Sequence, residues 1–173
     1  MKAHLPLPSP AAQASSSKLF EIIKQEIKAQ NNWIPFSRFM ELALYTPEYG
    51  YYTGGSYKIG TDGDFITAPT LTPLFGQTLA RQLTELLPQT AGNIYEFGAG
   101  TGHLAATLLK SLSDDLKHYY IIELSSELAE RQRQFIAEHT TPQLAQKVIH
   151  LTKLPESFDG IIIGNEVLDA MPV

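Results

Sequence analysis

An α/β fold with a parallel sheet is what this 173-residue sequence predicts, and three observations in its second half predict it. From Ile94 onward, apolar strand-like runs alternate with amphipathic helix-like runs, the pattern of βαβ units. Between the first strand and the first helix stands a glycine loop, Gly98-Ala99-Gly100-Thr101-Gly102. The run Ile161-Ile162-Ile163 is apolar throughout, as a parallel strand buried on both faces would be. Strands are expected at 93–97, 118–122, 147–151 and 159–163, with helices at 102–112 and 125–138. Four parallel strands are fewer than a doubly wound sheet normally holds, so the sheet is expected to be incomplete and the sequence truncated relative to a whole domain.

The first half reads as helices and loops. Residues 1–17 are rich in Pro, Ala and Ser, with Lys2 as the only Lys or Arg, and read as a flexible leader. They carry neither the apolar core of a secretory signal nor the arginines of a transit peptide, so a cytoplasmic protein is expected. Leu19, Phe20, Ile23 and Ile27 recur at helical spacing, with Ser17 placed to cap and an end near Asn31-Asn32. Pro35 opens a second helix bearing Phe36, Phe39, Met40 and Leu44, which must stop before Pro47. Residues 45–69 interleave Tyr45, Tyr49, Tyr51, Tyr52 and Tyr57 with glycines, which predicts a loop and short hairpin of a length that suits a lid or binding loop. Thr72-Pro73 then starts a helix with a stripe of Leu79, Leu83, Leu86 and Leu87, ended by Pro88. The organisation expected is thus a leader (1–17), a helical and Tyr/Gly-rich region (18–90) and a sheet domain (91–173).

Composition narrows the function classes. Hydrophobic content of 43% and charged content of 18% are those of an ordinary globular chain. A net charge of −5 supplies no basic footprint for nucleic acid. There is no cysteine, which removes disulfides and thiolate metal sites, and the five histidines show no metal-ligand spacing. No apolar run reaches the roughly 18–20 residues that span a bilayer.

The chemistry-bearing residues gather in the second half. Glycines 98, 100 and 102 let the backbone turn tightly and approach a ligand. Their G-x-G-x-G spacing differs from the G-x-G-x-x-G of dinucleotide folds, and no Lys-Ser/Thr pair follows to make a P-loop. Glu96, just before the glycines, suits a cofactor with an ammonium group better than one with a pyrophosphate. Glu123 ends the second strand 25 residues after Gly98, near the offset at which a Rossmann-like strand offers an acid to ribose hydroxyls. Asn165 and Glu166 begin where the fourth strand ends and are expected to face the same crevice as Gly98. Glu166 and Asp169 would share a face if a helical turn forms, and could then grip a guanidinium. Gly63-Asp64-Phe65-Ile66-Thr67-Ala68-Pro69 reads as a ligand-facing or an ordered structural loop, and His103 as an early helix residue rather than a base.

Together these blocks resemble the MidA-like S-adenosylmethionine (SAM) dependent methyltransferases, a family that includes the mitochondrial arginine methyltransferase assisting respiratory complex I assembly. The resemblance is carried by Pro35 to Tyr45, Gly50-Tyr51-Tyr52, Gly63 to Pro69, Phe75-Gly76, Glu96 to Gly102, and Asn165 to Val173. One departure is Thr70, where the family often has Glu. Another is length, since members continue well beyond this sequence. The resemblance implies a Rossmann-like SAM domain, with Glu96, Gly98, Gly100 and Gly102 holding the methionine part of SAM and Glu123 its ribose. Asn165 would join the cofactor side, with Glu166 and Asp169 near the acceptor as catalytic residues. The implied partner is a protein arginine, on a complex I subunit or another protein, and the exposed edge of the fourth strand would invite self-association. The alternatives are a SAM-binding fragment or assembly factor without catalysis, and an NAD-linked oxidoreductase.

Overall fold

The computed structural model of the protein describes residues 7–54 and 66–173. The chain forms two compact units, one of Met1–Ser56 with Ala170–Val173 and one of Tyr57–Asp169.

In the first unit, helix α1 spans Pro10–Ala29 and so takes in residues 10–17 of the expected leader. The Ser9 hydroxyl caps it by accepting from the Ala12 N–H (3.2 Å), with Pro10 preset in the first turn. Ser17, expected as the cap, lies inside the helix and donates its hydroxyl to the Gln13 carbonyl (2.9 Å). The expectation failed because it weighed Pro and Ser content and overlooked an earlier cap followed by helix-forming Ala and Gln. Asn31 and Asn32 end the turn in left-handed conformations (φ 55° and 63°), as their side chains tolerate. Helix α2 covers Phe36–Tyr45, with Pro35 as its first flanking residue. The following turn folds back along α2, where Tyr51 and Tyr52 N–H groups donate to the carbonyls of Ala43 and Leu44 (both 2.9 Å). Tyr45 stacks on Tyr52 and donates its hydroxyl to the Ala170 carbonyl (2.8 Å). Residues 46–54 are therefore a packed turn; Tyr57 and Gly63-Asp64-Phe65 lie outside the described residues.

Among the described residues, the first helices of the second unit are a short α3, Ala68–Leu71, and then α4, Pro73–Leu86, capped by the Thr72 hydroxyl as expected. Thr70 accepts from the Thr67 N–H (3.2 Å) and donates to the Thr67 carbonyl (2.7 Å), so its hydroxyl closes the start of α3. Strands β1 (Asn93–Phe97), β2 (His118–Ile122), β3 (Val148–Leu151) and β4 (Ile161–Gly164) form one parallel sheet in the order β3-β2-β1-β4. Helices α5 (His103–Leu112), α6 (Ser126–His139) and α7 (Pro142–Ala145) connect them. Ile94, Tyr119 and Ile121 bury one sheet face against Ala80 and Leu83 of α4, Leu104 and Leu108 of α5, and Ile136 of α6. Gly76 lets α4 come close to α5, for a methyl group there would lie 2.7 Å from Thr107 Cγ2.

The four strands and two main helices lie within two residues of their expected bounds. β4 starts later than expected because Asp159 is bonded to the start of β1 instead of entering the ladder: its carboxylate accepts from the Ala91 N–H and its carbonyl from the Asn93 side chain (both 3.0 Å). Burial of β4 on both faces is the expectation that fails. Ile162 is 47% exposed; among the described residues β4 is an edge strand whose one sheet neighbour is β1. Ile162 shares its sheet face with Tyr95, its register partner, which stacks on Tyr120 at 4.6 Å.

Candidate functional site

The carboxyl ends of β1, β2 and β4 lie level, since Phe97 pairs with both Ile122 and Gly164. Parallel strands place such ends beside the loops that follow them, which is where open α/β sheets bind ligands. Here the loops are the glycine loop, Glu123 to Ser125, and Asn165 to Val167.

Gly98, Gly100 and Gly102 all have left-handed φ (58°, 56° and 90°), where L side chains are strained. The loop is pinned at both ends by backbone bonds, from the Gly98 N–H to the Ile122 carbonyl (3.2 Å) and from the Gly102 N–H to the Ala99 carbonyl (2.9 Å). Gly102 precedes α5 directly, so the loop meets the electropositive first turn of that helix. The Thr101 hydroxyl lies 2.7 Å from His103 Nδ1, and the His103 ring packs on Phe135 with centroids 4.1 Å apart. Burial, then nearby His139, pushes the His103 imidazole below its usual range, as befits an early helix residue.

Glu123 is half-buried at the end of β2. Its Oε1 accepts from the Ser125 N–H (2.9 Å) and its Oε2 from the Gln132 side chain (3.2 Å). Burial raises its pKa, and the bonds from the Ser125 backbone, the Gln132 side chain and the Leu124 backbone oppose that rise. A carboxylate so anchored can still accept from a vicinal diol, because each oxygen has a second lone pair.

Glu96 occupies an unexpected setting. Strand alternation turns it toward the helix-packed face, where it is 2% exposed and accepts from the Tyr119 hydroxyl through Oε2 (2.7 Å). Burial lifts its pKa to about 7, against the smaller opposing effect of the Tyr119 bond. Tyr119 was missed as its partner because the two belong to different strands, and register alone brings them together.

Asn165, Glu166 and Val167 follow β4 beside the loop: a Cβ on Gly98 would touch Val167 Cγ2 at 3.4 Å. The helical turn imagined for Glu166 and Asp169 forms only over Leu168–Ala170. Glu166 precedes it with φ 53°, so the two acids share no helical face; both are exposed. The left-handed residue at 166 breaks the spacing on which that expectation rested. Among the described residues no group of His, Asp and Glu could hold a metal ion.

This site lies inside a region matched by a family described as "Putative S-adenosyl-L-methionine-dependent methyltransferase", over residues 74–173. The chain belongs to that family. Its fold is that of a solved family relative, a COG1565 superfamily member from Burkholderia thailandensis bound to S-adenosyl-homocysteine. That structure is 48% identical with a TM-score of 0.89, covering 98% of this chain and 46% of the other. A native crystal structure of a COG1565 superfamily protein from the same organism gives 47% and 0.84 over 98% and 44%. Among curated proteins, the chain is 28% identical to the mitochondrial protein arginine methyltransferase NDUFAF7 homolog of Drosophila melanogaster, over 81% of this chain and 38% of that protein. The Caenorhabditis elegans homolog is 26% identical over 96% and 45%. The chain therefore spans less than half the length of these relatives.

Proposed function

We propose that this chain forms the SAM site of a methyltransferase whose acceptor is a protein arginine. The observation that carries it is the alignment of three left-handed glycines at the end of β1 with an anchored carboxylate, Glu123, at the end of β2. This donor set fits a nucleoside with an amino-acid tail. The loop and the first turn of α5 suit a carboxylate, and Glu123 suits ribose hydroxyls. The names of the curated relatives and the S-adenosyl-homocysteine in the solved relative support the same reading.

The residues then take distinct roles. Gly98, Gly100 and Gly102 hold the methionine part, with Glu96 placing a titratable charge beneath them, and Asn165 completes the cofactor side. SAM supplies a methyl group already activated on a sulfonium, so the protein's part is to align the acceptor with it. Glu166 and Asp169 stand on the acceptor side and orient a guanidinium, which is protonated in water and must lose a proton as it is methylated. The acceptor is an arginine-bearing protein, a respiratory complex I subunit being one choice, and the cytoplasm is the compartment proposed. Self-association through the edge of β4 belongs to the same reading.

Calorimetry with SAM, S-adenosyl-homocysteine and NAD tests it: the first two bind, and NAD binding without SAM binding sinks it. Glu123→Ala weakens SAM binding by about tenfold, the scale of lost hydrogen bonds to a charged group. Glu166→Ala leaves SAM binding unchanged and lowers transfer of labelled methyl into protein. Equal loss of SAM affinity in both variants overturns the division of roles. The alternative reading is SAM binding without turnover. Absence of labelled transfer despite SAM binding would select it.

A further inference from the structure

Gln132 of α6 is the one buried side-chain amide in the second unit's described core, with 0% exposure, and it sits where three elements of the site converge. Its Nε2 donates to the Gly100 carbonyl of the glycine loop (2.9 Å) and to Oε2 of Glu123 (3.2 Å). Its Oε1 lies 3.1 Å from Nε2 of His150 on β3. The partners decide which way the amide points. A carbonyl and a carboxylate can only accept, so the nitrogen must face them and the oxygen must face His150. His150 must then donate, which requires its proton on Nε2.

The other groups around the ring agree. Burial chiefly, with Arg133 adding and Glu130 opposing, lowers the His150 pKa to about 4, so the ring is neutral and carries one N–H. Both amide hydrogens and the amide oxygen of Gln132 are thereby used. A buried polar group so fully bonded has one orientation, and the groups it holds are fixed with it.

We propose that Gln132 is a positioning residue of the cofactor site, holding the Glu123 carboxylate and the Gly100 carbonyl in the spacing that a ribose requires, with His150 fixing the amide. This rests on the SAM reading above and deepens it. Among the described residues, the other groups bonded to Glu123 are backbone N–H groups, with that of Ser125 on Oε1. Loss of the amide bond frees Oε2 to turn away from the diol.

The test uses this chain with two probes, S-adenosyl-homocysteine and its 2′,3′-dideoxy analogue, by calorimetry. The unsubstituted protein should prefer the diol by about tenfold or more. Gln132→Met keeps the length and the packing but none of the hydrogen bonds. It should lose most of that preference, weakening the diol ligand about tenfold while leaving the dideoxy analogue within about twofold. Equal weakening of both ligands would show a merely structural role and overturn the proposal, as would retention of the preference. Gln132→Glu adds an independent readout. Facing Glu123 it can donate only when protonated, so its affinity relative to the unsubstituted protein should recover as pH falls from about 8 to about 6. A flat ratio overturns the proposal. Nitrogen NMR of the unsubstituted protein needs no variant: His150 should be neutral with its proton on Nε2, and the Nδ1–H form would overturn the amide assignment. If the unsubstituted chain binds neither probe, the cofactor reading itself fails; if it binds with diol preference and Gln132→Met keeps that preference, only Gln132's role fails.

Discussion

A carboxyl group buried just ahead of the glycine loop makes the stability of this fold depend on pH. Glu96 carries a folded pKa of about 7 against an ordinary 4.5, because burial penalises its charged form. With the folded value raised, the favourable contribution of protonated Glu96 is fully present below 4.5 and is lost as pH rises through about 7. The difference corresponds to about 3 kcal/mol. Glu96→Gln keeps an acceptor for the Tyr119 hydroxyl and removes the charge. In urea unfolding at about pH 5 and about pH 8.5, the unsubstituted protein should lose stability between the two and the Gln variant should lose much less. Equal losses would assign the pH dependence to other groups. The sequence shows Glu96 as an acid before a glycine loop; that it is buried and bonded to Tyr119 follows from strand register, which pairs Ile94 with Tyr119 and Glu96 with Ile121 and so sets Glu96 diagonally beside Tyr119.

Among the elements, the helix start at Thr72-Pro73 was legible, where a cap and a proline stand directly before an apolar stripe. A helix start was misread where composition was weighed instead, as in the stretch that became the first two turns of α1. Helix packing was not legible. Phe75-Gly76 carries a family resemblance, and the structure supplies its physical reason in the close approach of α4 to α5. Thr107 is β-branched and stiff within its helix, so it cannot easily swing aside from an added methyl. Gly76→Ala is therefore expected to destabilise the protein by about 1–2 kcal/mol despite the better helix propensity of alanine. Adding Thr107→Ser, which removes the methyl in closest contact and leaves Cβ at 3.0 Å, should recover part of that loss. Thermal unfolding of the single and double variants measures both, and a Gly76→Ala protein of unchanged or raised stability would contradict the packing account.

For the whole molecule, β4 joins the crossover arrangement that brings Asn165 to Val167 beside the glycine loop, and it also forms one edge of the sheet. Ile162 on that strand is 47% exposed, and parallel edges with apolar side chains are templates for further pairing. Sedimentation velocity should show concentration-dependent association of this chain, and Ile162→Lys should shift it toward monomer with little change in thermal stability. Association unaffected by the substitution would place the contact elsewhere. The sequence by itself determined the βαβ order, the glycine loop, the carboxylate at the end of the second strand and the family resemblance. These rest on local periodicity and short spacings, which neighbours along the chain impose. Only the tertiary structure decided that Glu96 turns inward to Tyr119, that Glu166 and Asp169 share no helical face, and that Gln132 joins Gly100, Glu123 and His150. Each of those depends on register between strands or on a left-handed residue, and a buried polar side chain takes its partners from whatever the fold brings within about 3 Å.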